Sequence, residues 1–232
     1  MRHRFHSLCP YFAMFPESFA EEWITRLTKP GDTVLDPFSG RGTTALTALL
    51  CGRKAISSDV NDVAVCLTKA KTKPPPLSRL KARVTQLGNQ FDPPKWNRAV
   101  RDAEEFFMYA YAPATLAQLL YLRETLNWQE SRVDNMISAL ALGSLHGETT
   151  STRYLSNQMP RTISTKPLYS VKFWKDRKLV APKRDAFMLL GEMAGMILTG
   201  QKVIPKKLLL AGYFYRYPRA EEALPKLFTV SS

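Results

Sequence analysis

Hydrophobic and polar positions divide the chain into blocks of different period. Ser18 and Glu21 have capping-box spacing, which predicts a helix starting there and leading into the apolar run Thr33-Val34-Leu35. That run follows Pro30-Gly31-Asp32 and reads as a short buried strand. Thr43 and Thr44 open a helix that runs to about Leu50 and is stopped by Gly52, and Lys54 to Ser57 reads as a second strand. Lys73-Pro74-Pro75-Pro76 ends this α/β pattern, because three prolines continue neither helix nor strand.

Beyond the prolines the period becomes helical. Residues 78–91 read as a helix, and Pro93-Pro94 breaks the chain again. Pro113 precedes an amphipathic run with Leu116, Leu119, Leu120 and Arg123. Ser131 is placed to cap a helix carrying Val133, Met136, Ile137 and Leu140, closed by Gly147. Residues 151–183 read as irregular, and Asp185 as the cap of a helix running toward Gly200. Leu227-Phe228-Thr229-Val230 is strand-like, and no internal repeat is found. The expected organisation is an α/β part over residues 1–76, a mainly helical, basic insertion over 77–200 and a return to the sheet over 201–232.

Composition changes this picture in one respect. With 45% hydrophobic and 23% charged residues the chain can bury a core. Its charge is uneven: 33 Lys and Arg oppose 20 Asp and Glu for a net +13, and +10 of that lies from Ser151 onward. A basic half predicts a polyanionic partner, most often nucleic acid. The candidate contact residues are Arg153, Tyr154, Arg161, Lys172, Trp174, Lys175, Arg177, Lys178, Lys183 and Arg184, where cations alternate with aromatic residues that include Tyr169 and Phe173. The competing expectation is that the aromatics pack the insertion and the charges are only solvated.

The three cysteines, Cys9, Cys51 and Cys66, form no CxxC pair, and with three histidines they do not supply the four ligands of a structural zinc site. No metal is expected. The N-terminus lacks the apolar core of a signal peptide, and no run approaches the roughly 18–20 apolar residues of a membrane span. The expectation is a soluble, cytoplasmic protein without a membrane partner.

The chemistry concentrates after the first strand. Asp36 stands at its end, and Gly40 and Gly42 let the backbone turn tightly and approach a ligand. The second strand delivers Asp59, 23 residues after Asp36. Nucleotide-binding units place an acid about 20 residues after the loop, where a carboxylate accepts both ribose hydroxyls. The bland alternative is that Asp59 is a helix cap before Asn61.

Asp36-Pro37-Phe38-Ser39-Gly40-Arg41-Gly42-Thr43-Thr44 resembles the DPFxGxGTT motif of the amino-group DNA methyltransferases, which make N4-methylcytosine or N6-methyladenine. His6 to Pro16 resembles the segment that precedes this motif and covers the methionine end of the cofactor. The resemblance implies a Rossmann-like S-adenosylmethionine methyltransferase sheet, here partial. It implies a cofactor site of His6, Pro10, Tyr11, Asp36, Pro37, Phe38, Ser39, Gly40, Gly42, Thr43, Thr44, Asp59 and Val60. Tyr11 and Phe38 would pack on the adenosyl or methionine parts, and Asp36 would accept from the methionine ammonium.

The family's catalytic motif, (Ser/Asp/Asn)-Pro-Pro-(Tyr/Phe), is not matched. Asp92-Pro93-Pro94-Lys95 lacks the aromatic residue and a preceding apolar strand, so it reads as a proline-rich helix start. Leu227 to Ser232 reads like the strand that leads into such a motif. The expectation is therefore the cofactor-binding and DNA-recognition portion of a methyltransferase, with no catalytic residue assigned and a C-terminal companion chain as a candidate partner. Two other readings stand beside it: an RNA guanine-amino methyltransferase, and a non-catalytic nucleic-acid-binding module with a vestigial cofactor pocket.

Overall fold

The computed structural model describes residues 3–9, 15–145, 154–159 and 166–199. Pro10, Tyr11, Gly147, Arg153, Arg161 and the strand-like run at 227–230 lie outside the described residues. A 3₁₀ turn, Arg4–Ser7, precedes α1 (Glu17–Leu27), β1 (Thr33–Asp36), α2 (Thr43–Leu50), β2 (Lys54–Ser57) and α3 (Asp62–Thr72). Then follow α4 (Leu77–Gln90), a 3₁₀ turn Pro93–Trp96, α5 (Asn97–Arg101), α6 (Glu105–Ala110), α7 (Pro113–Thr125), α8 (Arg132–Ser144), α9 (Pro167–Asp176) and α10 (Ala186–Thr199).

The described residues are mostly helical, and the sheet among them has two parallel strands, with Thr33 opposite Lys54 and Asp36 opposite Ser57. Helices α1 and α2 cover one face through Ala20, Ile24 and Ala48, against Val34 and Ala55. The other face is bare: Leu35 is 66% and Ile56 59% exposed. The expected buried strand is therefore buried on one side only, although parallel sheets normally bury both faces. At the end of the strands away from Gly40 and Gly42, Arg53 clamps the turn by donating to the Thr28 carbonyl at 2.7 Å and the Cys51 carbonyl at 2.5 Å.

The helical part holds a larger core. Leu80 and Leu87 of α4, Met136, Ile137 and Leu140 of α8, and Leu190 of α10 are all buried in one cluster. Helix α3 joins this cluster through Cys66 and Leu67, and the Asn135 amide of α8 donates to the Cys66 carbonyl at 3.3 Å. Burial, with Cys9 adding to it, pushes the Cys66 thiol up to about 12. Asp134, also buried, accepts from Arg83 Nε of α4 at 2.9 Å, Arg83 Nη2 at 3.2 Å and the Asn127 N–H at 3.1 Å. A buried carboxylate paired in this way fixes α4 against α8.

Several local signals act where the sequence places them. The Ser131 hydroxyl accepts from the Asp134 N–H at 3.1 Å to start α8, and Asp185 accepts from the Met188 N–H at 2.9 Å to start α10. Two expectations are corrected. Helix α1 starts at Glu17 with Pro16 as its cap and no side-chain cap hydrogen bond, so Ser18 lies inside the helix. Residues 167–176 form α9 rather than irregular chain, because Pro167 at its first position needs no donor there and Ser170, Val171 and Trp174 bury one face.

Candidate cofactor site and nucleic-acid face

The candidate cofactor site begins where β1 ends. Asp36 Oδ1 accepts the Phe38 N–H at 3.1 Å, a turn that rotates the chain out of the strand. The Ser39 N–H then donates to the Ser58 carbonyl at 2.9 Å, and the Ser58 N–H to the Asp36 carbonyl at 3.1 Å. The loop thus stays bound to the end of β2. Gly40 (φ +50°) and Gly42 (φ +76°) occupy the left-handed region, which favours glycine. Gly42 is doubly constrained, since a Cβ there would lie 2.7 Å from Thr68 Oγ1 and 3.0 Å from Thr68 Cα.

Asp59 ties this loop to the following helix. One carboxylate oxygen accepts the Gly40 N–H at 2.8 Å and the other accepts the Asn61 N–H at 2.9 Å. The Asn61 bond first and the Gly40 bond next hold its carboxyl below the ordinary 3.8, so it is an ionised acceptor. The helix cap is Asn61 itself, whose side chain accepts the Val63 N–H at 2.9 Å. Asp59 is only partly buried, and its two oxygens have lone pairs for further donors.

Beneath the loop lies a polar floor that sequence reasoning did not identify. Lys71 of α3 is buried and donates to the Arg41 carbonyl at 2.5 Å. Thr68 Oγ1 lies 3.3 Å from Ser39 Oγ and 3.4 Å from the Gly40 carbonyl. The buried Arg41 guanidinium donates to Thr43 Oγ1 at 3.3 Å and to the His6 carbonyl at 3.0 Å. Segment 3–9 is thereby fixed to the glycine loop. No spacing rule marks Thr68 or Lys71, since a Thr and a Lys on a helix read as solvated; the position of Arg41 between two glycines was the available signal.

The remaining expected cofactor residues differ in exposure. Ser39 and Thr43 are buried and serve the loop's internal bonds. Pro37, Phe38 and Val60 face outward, Phe38 at 85% exposure, and Thr44 is half-buried. The His6 side chain is buried, with Nε2 3.7 Å from Glu17 Oε2, and its backbone carbonyl accepts from Arg41 of the loop. A cavity of about 690 Å³ opens elsewhere, among α3, α6, α7 and α8, and its lining contains no residue of the glycine loop.

The basic region is likewise sorted by the structure. Trp174 is fully buried, with its indole N–H donating to the Gln158 carbonyl at 2.5 Å and its ring 5.6 Å from that of Phe106. It fills the core and presents no ring surface to solvent. Tyr154 and Arg184 are half-buried, while Lys172, Lys175, Arg177, Lys178 and Lys183 are exposed. Lys175 pairs with Glu105, and Arg177 lies 4.2 Å above the Phe173 ring.

The arrangement offers glycine backbone, an ionised acceptor and exposed apolar groups at one end of two parallel strands, where open α/β sheets bind ligands. Among the described residues no group of three or more His, Cys, Asp or Glu could hold a metal ion, and no helix is long and apolar enough to cross a membrane. Residues 3–70 match a family model described as DNA methylase, and residues 187–227 match one described as a domain of unknown function (DUF1731). The chain is 47% identical over 49 residues to the orphan methyltransferase M.BamHII of Bacillus amyloliquefaciens, a match covering 21% of this chain and 18% of that protein. It is 34% identical over 90 residues to the type II methyltransferase M.MvaI of Kocuria varians, covering 38% of this chain and 19% of that protein. The matches thus span under a fifth of either relative. No solved structure matches the chain.

Proposed function

We propose, from a chain whose residues 3–70 carry the signature of a DNA methylase, that it is the cofactor-binding and DNA-recognition portion of a methyltransferase acting on an exocyclic amine of cytosine (N4) or adenine (N6). The observation that carries this is the glycine loop held against Asp59 at the ends of β1 and β2. The residues suit S-adenosylmethionine. Asp59 offers an ionised acceptor to a ribose diol, Gly40 and Gly42 give the loop its left-handed turn with Gly42 seated against Thr68, and Phe38 and Val60 supply apolar surface. The cofactor supplies an electrophilic methyl group on its sulfonium. The chain's own part is to bind and orient it, with Asp36 and Asp59 as acceptors and α3 as the floor that keeps the loop in place.

The exposed cations of the basic region support a phosphate-facing surface. The bare face of the β1–β2 sheet supports a companion segment or chain that covers Leu35 and Ile56. The catalytic motif is assigned to such a companion.

Titration calorimetry with S-adenosylmethionine tests the reading. Asp59→Ala should weaken binding roughly tenfold, the scale of one hydrogen bond to a charged group. Because the folded carboxyl titrates below 3.8, its contribution is present at neutral pH and is lost only as pH falls through that lowered value. Unchanged affinity in the variant would remove Asp59 from the site, and no binding by the unaltered chain would remove the site altogether.

A further inference from the structure

Helix α9 gives the basic region a face that its sequence does not show. Its inward side buries Ser170, Val171 and Trp174. The helical period therefore turns Leu168, Tyr169 and Lys172 outward. Leu168 is 88% and Tyr169 52% exposed, two adjacent apolar side chains at the start of the helix. Lys166, the capping residue, and Lys172 stand three positions either side of Tyr169, and both are exposed. Residues three apart on a helix are neighbours.

The other aromatics of the region are committed. Trp174 is core, Phe173 packs against the core and lies under Arg177, and Tyr154 is half-buried. Lys175 is engaged by Glu105. Lys166, Tyr169 and Lys172, by contrast, make no side-chain hydrogen bond or ion pair among the described residues. An exposed ring between two uncommitted cations, on a chain of net charge +13, matches an apolar, planar group carried on a polyanion.

We propose that this face is a stacking platform for an unpaired base of single-stranded DNA, with Tyr169 under the base and Lys166 and Lys172 on the flanking phosphates. It rests on the reading that the basic region meets DNA, and adds which residue takes a base and in which state of the strand. Aromatic stacking is tolerant of sequence, so the platform is expected to bind any base.

The test is fluorescence anisotropy of the full chain with a 5′-labelled oligothymidylate and with a duplex of equal length. Tyr169→Ala should bind the single strand roughly 5- to 150-fold more weakly, the range for removal of one stacking ring. Tyr169→Phe, which keeps the ring, should stay within about twofold, and the duplex should lose far less than the single strand. Lys172→Gln should flatten the slope of log affinity against log salt by about 0.7, one phosphate contact on a single strand. Equal binding by Tyr169→Ala, an equal loss in Tyr169→Phe, or loss of helical circular dichroism in Tyr169→Ala overturns the platform while leaving the DNA reading intact. A preference of the unaltered chain for oligouridylate that disappears in Tyr169→Ala gives the platform to RNA and overturns the DNA assignment. If the unaltered chain binds neither strand nor duplex, the reading beneath it fails as well.

Discussion

In the helical part, Leu80, Leu87, Met136, Ile137, Leu140, Trp174 and Leu190 are buried in a single apolar cluster. Around the sheet, the small buried cluster against the strands is Ala20, Ile24 and Ala48, and Leu35 and Ile56 face outward. What orders the sheet end is instead a set of polar ties to backbone atoms, from Arg53, Asp59, Lys71 and Arg41. The apolar cluster is non-directional and favours whatever excludes water. The polar ties fix particular atoms. The region that carries stability is thus distinct from the region whose geometry suits a ligand, and α3 belongs to both, since its Cys66 and Leu67 lie in the core while its Thr68 and Lys71 support the loop.

This contrast is sharpest in substitutions chosen from each side. Trp174→Ala should have the largest effect, lowering unfolding stability by about 3–5 kcal/mol through the cavity it leaves. Urea unfolding measures this, and a loss below about 1 kcal/mol would mean that the ring is not core. Gly42→Ala should cost roughly 1–3 kcal/mol, because it forces a side chain into the left-handed region and against Thr68. Its larger consequence should be loss of cofactor binding while the helical circular dichroism stays native. A variant that unfolds globally would erase the distinction between the two regions. Leu35→Thr with Ile56→Thr should change stability least, within about 0.5 kcal/mol, as for surface positions. A loss above about 1 kcal/mol would show that the bare face is already covered in solution.

The sequence was most legible where structure is decided locally. The caps at Ser131 and Asp185 depend on residues within three positions and act where expected, and the two strand segments and the glycine turn between them fall where their own residues place them. Asp59 shows where local reading stops. Its distance from Asp36 marked it as a ligand acceptor, but its bonds to Gly40 and Asn61 also make it a structural tie. Helix α9 was missed because Pro167 reads equally as a break and as a helix start, and the choice depends on Trp174 finding the Gln158 carbonyl and Phe106. Likewise, Gly143 gives no signal of its own, yet a Cβ there would strike the Leu8 carbonyl oxygen, 135 positions away in the chain. The bare sheet face was illegible for the opposite reason. An apolar triplet predicts burial, and what covers its second side is not encoded in the triplet.

The seat of α8 on α3 also governs how the chain reaches this structure. The strands pair between Thr33 and Lys54, whereas Cys66 meets Asn135 across 69 positions. Closing a long flexible segment costs entropy that grows only with the logarithm of its length, about 0.6 kcal/mol per doubling. The α3–α8 contact therefore costs only about 1 kcal/mol more to close than the strand pair, and contacts of that separation slow folding more than they alter final stability. Extra residues inserted at the exposed turn near Glu130 would thus act mainly on the rate at which molecules mature and leave the finished glycine loop as it is.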